Sequence, residues 1–135
     1  VKTGVDIKAE ISNKTFLRNR TPQTTAAEEA DTFAKLAEYR DGAIFAGGFA
    51  GESPWERHPQ GDEILQVIEG NVELMILDES VETIRLSAGM LAVVPGSKWH
   101  RLYSANGVTL MTVTPLPTEC SASDPQGSGH SGDRV

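Results

Sequence analysis

The 135-residue chain is long enough for one domain with a real core and too short for two. Its 12 Lys and Arg against 19 Asp and Glu leave a net charge of -7, which excludes the basic surface that nucleic acids and anionic membranes attract. With 39% apolar and 23% charged residues, and no apolar run as long as a bilayer span, the composition is that of an ordinary soluble protein.

In chain order, Val5-Asp6-Ile7 predicts a short strand, and Asn19-Arg20-Thr21-Pro22 has the chemistry of a loop. Thr25-Ala26-Ala27-Glu28 fits a capping box, in which Thr25 and Glu28 satisfy the free donors at a helix start. The helix is predicted to run to about Tyr39 on a narrow apolar stripe of Phe33, Leu36 and Ala37, and Asp41-Gly42 stops it. Residues 1–42 are thus expected to form an arm with a docking or subunit-contact role, since no nucleophile or metal-ligand pattern occurs in it.

From Ala43 the pattern becomes β. Ala43 to Phe49 is apolar and short-side-chained, as in a strand packed closely on both sides. Glu63 to Glu69 alternates, with Glu63, Leu65 and Val67 on one face, and Gly70-Asn71 predicts a tight turn into Val72 to Leu77. Glu82 to Leu86, Met90 to Val94, Lys98 to Tyr103 and Val108 to Thr114 complete the set, the last two joined by Ser104-Ala105-Asn106-Gly107. Seven or eight short strands at this spacing predict an all-β sandwich or barrel over residues 43–116. Residues 117–135 are rich in Ser, Gly, Asp and Pro and are expected to be a mobile tail. His130 and the single cysteine, Cys120, fall in that tail and are read as outside any site. One cysteine leaves no internal disulfide, which fits a reducing, cytoplasmic setting.

The chemistry concentrates in Glu56-Arg57-His58-Pro59-Gln60-Gly61-Asp62-Glu63 and in the run from Gly89 to His100. Glu56 and His58 are two apart and share a strand face. The Pro-Gln-Gly-Asp turn then folds the chain back so that Glu63 opens a neighbouring strand. His100 must arrive from a strand far away in sequence. These segments resemble the two motifs of the cupin superfamily. Gly51, His58, Glu63 and Gly70 fall on the marks of the first motif, with Glu56 where its earlier histidine stands. Gly89, Pro95 and His100 fall on those of the second, with Ser97 where a glycine is usual. The resemblance covers about Ala43 to Thr114. It implies a double-stranded β-helix, the jelly-roll barrel of cupins, with a metal in the barrel mouth and a homodimer, to which the residues before Ala43 add an N-terminal helical arm.

Glu56, His58, Glu63 and His100 are accordingly the candidate ligands of one divalent metal ion. Two imidazoles with carboxylates suit Fe(II) or Mn(II) best, with Ni or Zn as alternatives. His58, His100 and one carboxylate approach the two-His-one-carboxylate face that leaves positions open for oxygen and substrate. The second carboxylate is then a fourth ligand, an outer partner, a general base, or a solvated residue beside Arg57. Glu56 and Glu63 are the candidate catalytic groups, either one moving a proton. Trp55, Trp99 and Tyr103 are rim candidates, while alternation turns Arg57 and Arg101 outward. Phe45, Leu65, Val67, Leu102 and Met111 wall the cavity or fill the core. The expected function is a metal-dependent, dioxygenase-like oxidoreductase acting on a small molecule. The alternatives are a lyase or isomerase, and a non-enzymatic module that binds a metabolite or metal.

Overall fold

Two short helices and ten strands account for the regular structure of residues 3–125 and 133–134, which the computed structural model describes. Asp6 does not begin a strand. Its carboxylate accepts the Ala9 N–H at 3.1 Å and caps helix α1 (Ile7–Ser12), satisfying a donor that the first turn leaves free. Asn19 and Arg20, which read as loop, lie in strand β1 (Leu17–Arg20). The capping box of Thr25 and Glu28 opens helix α2 (Ala26–Thr32) as expected. That helix ends far short of Tyr39, because Phe33 is already extended (φ -99, ψ 115). Strand β2 (Ala34–Tyr39) follows and pairs antiparallel with β3 (Gly42–Glu52). The reason is packing: Ala34 and Leu36 alternate with exposed Lys35, and both bury with Ala46 beneath Ile7 and Ile11 of α1. Tertiary burial at period two outweighs the weak helical stripe.

The N-terminal arm therefore enters the barrel sheet directly. Strand β1 runs parallel to β3, and the approach is so close that a Cβ on Gly51 would lie 2.2 Å from the Arg20 carbonyl oxygen. Gly51 also has φ +113, so the motif glycine is required twice over, by conformation and by contact.

The remaining strands are β4 (Trp55–Arg57), β5 (Glu63–Leu77), β6 (Val81–Ser87), β7 (Leu91–Val94), β8 (His100–Pro115), β9 (Glu119–Ser121) and β10 (Asp133–Arg134). Two expected turns are absent. Gly70-Asn71 lies inside the continuous β5, and residues 104–107 lie inside the continuous β8. Gly70 has φ +77 and sits against Gly107, where a Cβ would meet the carbonyl oxygen at 2.2 Å. The two strands bend together there, with register shifts on either side, instead of reversing. Strand β5 pairs with β7 before the bend and with β6 after it, while β8 accompanies it on both sides. A sheet that curls in this way closes into the jelly-roll barrel. Its interior holds Phe49, Leu65, Val67, Leu74, Leu102 and Leu110, so three of the five candidate wall residues are core. Met111 instead packs on the cluster under α1, and Phe45 is half-buried.

The expected tail is corrected by β9. Thr118, Glu119 and Ser121 are buried, and β9 pairs antiparallel with β4, placing Trp55 opposite Ser121, Glu56 opposite Cys120 and Arg57 opposite Glu119. This stretch is too short and polar to read as a strand until β4 lies beside it. Strand β10 pairs in turn with β9. His130 lies outside the described residues.

Candidate metal centre

Local structure brings the two motif loops together before any side chain is considered. Past β4, the chain turns through Pro59 to Asp62 and enters β5 at Glu63; past β7, it turns through Pro95 to Trp99 and enters β8 at His100. The loops are stitched to each other. Ser97 N–H donates to the His58 carbonyl at 3.0 Å, and Gly96 N–H donates to Asp62 Oδ1 at 2.7 Å. Asp62 thus serves the turn, as its position suggested. Ser97 adopts φ 67, the left-handed conformation that explains why glycine is usual at this mark. Glu56 stands opposite His100 across the β4–β8 pair, and residues directly opposite in an antiparallel pair share a face.

His58, Glu63 and His100 converge. Each offers a donor atom within 4.8 Å of the other two, and all three residues are buried. Glu63 lies between the rings, with His58 Nε2 at 3.3 Å from Oε2 and His100 Nε2 at 3.2 Å from Oε1. The ring centroids are 5.1 Å apart. Both rings are held from behind by oxygen: Nδ1 of His100 lies 3.3 Å from the Lys98 carbonyl, and Nδ1 of His58 lies 3.0 Å from Thr118 Oγ1. Thr114 Oγ1 donates to Glu63 Oε2 at 2.7 Å and is itself 2.8 Å from Thr112 Oγ1. One atom stands out. His58 Nε2 is buried without a hydrogen-bond partner, its approach to Glu63 lacking the alignment of a bond. A buried, unsatisfied ring nitrogen is costly unless something else fills its lone pair.

The electrostatics follow from the same geometry. Burial resists the charge on Glu63, but the imidazoles of His100 and His58 outweigh it and hold the carboxyl far below its usual range. Burial likewise opposes a proton on His100, and the Glu63 carboxylate overcomes it, so this imidazole titrates above its usual value. The Glu63 carboxylate thus favours one positive charge beside it, and in the metal-free protein a proton on His100 supplies it.

Glu56 is the predicted residue that this group leaves out. It is half-buried, and its charge is felt both by His100 and by Glu29 of α2. Glu29 is raised above the ordinary carboxylate range, first by burial, against the pull of Arg20, with Glu56 adding to the rise. Arg20 is buried over the rings of Phe33 and Phe49 and bonds Glu29 at 2.9 Å, so the arm delivers a polar pair to the Glu56 side of the barrel. Trp55 and Trp99 lie off the side that faces the three donors: Arg101 stacks over Trp55 at 4.7 Å and Arg57 over Trp99 at 4.6 Å. Tyr103 is exposed, two residues beyond Arg101 on the same face. Both arginines turn away from the donors, as alternation predicts. Cys120 belongs to β9 opposite Glu56, half-buried, and not to a tail.

Sequence reasoning missed Thr114 and Thr118, the two hydroxyls that touch the donors. Thr114 carried a faint signal, since it shares a strand face with Thr112. Thr118 carried none.

Comparison with known proteins identifies the family and the fold. Residues 47–114, half of the chain, match the cupin domain family. The chain belongs to the cupins. This cupin is 35% identical over 69 residues to the uncharacterized protein YdbB of Bacillus subtilis (strain 168), a match covering 51% of the chain and 59% of that relative's length. Among solved structures, a cupin-2 domain containing protein from Shewanella frigidimarina NCIMB 400 superposes with a TM-score of 0.55 at 26% identity, over 63% of this cupin and 80% of that chain. Hydroquinone 1,2-dioxygenase from Sphingomonas sp. TTNP3 gives a TM-score of 0.55 at 15% identity, over 63% and 65% of the two chains, a likeness of fold.

Proposed function

We propose that this cupin is a mononuclear-metal oxidoreductase of the dioxygenase type, acting on a small organic molecule, with His58, Glu63 and His100 holding one divalent cation. The observation that carries the reading is the convergence of three buried donors, one of them the partnerless His58 Nε2. A cation fits this place because it supplies the positive charge that Glu63 draws in and takes up that lone pair. The donors are nitrogen and oxygen without sulfur, a set that suits Fe(II), and next Mn(II), better than a structural zinc site. When bound, such a cation polarises a substrate oxygen and, as iron, supplies the redox chemistry that dioxygen needs.

The chain's own residues do the rest. The imidazoles must be neutral to donate, so a cation competes with the proton that the Glu63 carboxylate favours on His100. Thr114 holds one oxygen of Glu63 and thereby fixes the plane of the carboxylate. Glu56 stands beside His100 but outside the donor group, so its carboxylate stays available to take a proton from a substrate or return one. That same position favours a second reading, a lyase or isomerase in which Glu56 is the base.

The test is metal content of untagged protein, followed by oxygen uptake of the Fe(II)-loaded protein with small phenols and oxo acids. One metal per chain, lost in His58→Ala and His100→Ala, with uptake on at least one substrate, is the expected result. Wild-type protein that takes up no metal would overturn the proposal. Bound metal without oxygen uptake, but with deuterium exchange into a substrate that Glu56→Gln abolishes, selects the lyase or isomerase. Bound metal with neither activity selects a binding module.

A further inference from the structure

His58 is supported by a segment that the cupin domain match does not include. Residues 47–114 contain the donors, whereas Thr118 and β9 lie beyond them. We propose that Thr118 is a positioning residue for His58, and that β9 is the strap that delivers it to the back of the ring. The inference rests on the metal-binding reading of His58, Glu63 and His100.

The strap is fastened on two faces. Arg57 and Glu119 lie opposite each other across β4 and β9 and share one face, where they form an ion pair. The Arg57 guanidinium also stacks on Trp99, which closes that side. Thr118 and Cys120 alternate with Glu119 and fall on the other face, with Glu56 and His58. Thr118 there has its hydroxyl 3.0 Å from His58 Nδ1, and both residues are buried, so water does not compete for the bond.

An imidazole has two nitrogens, and fixing one decides the task of the other. A hydroxyl can accept a hydrogen bond as well as donate one. With Thr118 Oγ1 accepting from Nδ1–H, the lone pair of His58 lies on Nε2, the buried atom that faces Glu63 and has no hydrogen-bond partner. In that arrangement the bond fixes the rotation of the ring and leaves Nε2 free to donate its lone pair to a cation. His100 gets the same service from the Lys98 carbonyl, two residues away in its own loop. For His58 the partner must be imported from 60 residues away. Loss of such an outer partner weakens metal binding by roughly 10–100-fold.

The experiment measures Co(II) affinity of the full chain by chelator competition, together with the visible Co(II) spectrum. It compares wild type, His58→Ala, Thr118→Val and Thr118→Ser, with far-UV circular dichroism to verify strand content. Thr118→Val keeps the shape and removes the hydroxyl; it is expected to bind about 10–100-fold more weakly with an altered spectrum. Thr118→Ser restores the hydroxyl and is expected to recover most of the affinity. If Thr118→Val binds as wild type does, or if Thr118→Ser loses as much as Thr118→Val, the positioning role is overturned while the metal site stands. If wild type takes up no Co(II), or His58→Ala binds as tightly as wild type, the metal reading itself is overturned, and this inference with it.

Discussion

His100 and His58 face the same carboxylate, yet one ring is held from within its own loop and the other from a residue 60 positions further along the chain, just ahead of β9. Behind His100 stands a backbone carbonyl, an acceptor that no side-chain substitution removes. Behind His58 stands a single hydroxyl, which one substitution deletes. The contrast teaches that the robust half of a donor group can be written in one motif while the other half depends on how a distant segment docks. Each experiment below strikes both rings, one ring, or the loop between them.

Glu63 is what the two rings share, so Glu63→Gln has the largest effect. It keeps the shape and removes the only negative charge within the donor group. Metal affinity is expected to fall beyond the roughly 100-fold ceiling of a lost outer partner, measured by isothermal titration. Equal binding in this variant would mean that the rings do not depend on a common anion.

Varying pH separates the rings from the metal. In metal-free protein, His100 titrates above its ordinary value of 6.5, so its contribution to stability is full below that value and is lost as pH rises through the raised one. Glu63 titrates below its ordinary value of 4.5, so its contribution is full above that value and is lost as pH falls through the depressed one. Metal-free stability attributable to the pair is therefore flat between about 4.5 and 6.5 and declines on either side. Metal affinity runs the other way over the alkaline limb, rising with pH as His100 gives up its proton. Melting temperature and Co(II) affinity, measured across the same buffers, should diverge above neutrality; parallel curves would deny that His100 is a ligand.

Smaller effects address one ring at a time. Glu119→Gln weakens the ion pair that fastens β9, and because Arg57 is one-third exposed the cost should be about 1 kcal/mol or less. Amide exchange should quicken in β9 and leave the Lys98–His100 turn unchanged. Smallest is Ser97→Gly, which relieves a left-handed, exposed, non-glycine residue in the second-motif loop that bonds to His58 of the first. A gain of about 0.5–1 kcal/mol in urea denaturation is expected, below the full cost of that conformation because glycine is also freer when unfolded.

The barrel class and the meeting of His58, Glu63 and His100 were legible because both rest on short-range regularities: alternation along strands and fixed spacing around turns. The same regularities placed Arg57 and Arg101 outward and Asp62 in its turn. What failed depended on partners far away. Gly70 has the chemistry of a turn, but with Gly107 against it the two strands bend together and continue. Phe33 to Tyr39 carries a helical stripe, and only the edge of β3 makes it a strand. Thr118 to Ser121 has the composition of a tail, and only β4 gives it a register. Glu56 was expected on the strand face of His58, and the β4–β8 pair sets it opposite His100, yet spacing alone could not reveal that the donor group closes without it.

The interval from Glu63 to Gly70 has a consequence of its own. Glu63 begins β5 on the inner face, and Gly70 is where that strand leaves β7 and goes on to meet β6. Because side chains alternate along a strand, removing one residue between them would rotate the acid to the outside while the kink stayed where Gly107 pins it. The motif's count of residues is thus a ruler: it measures the distance from a hinge in the wall to the charge inside.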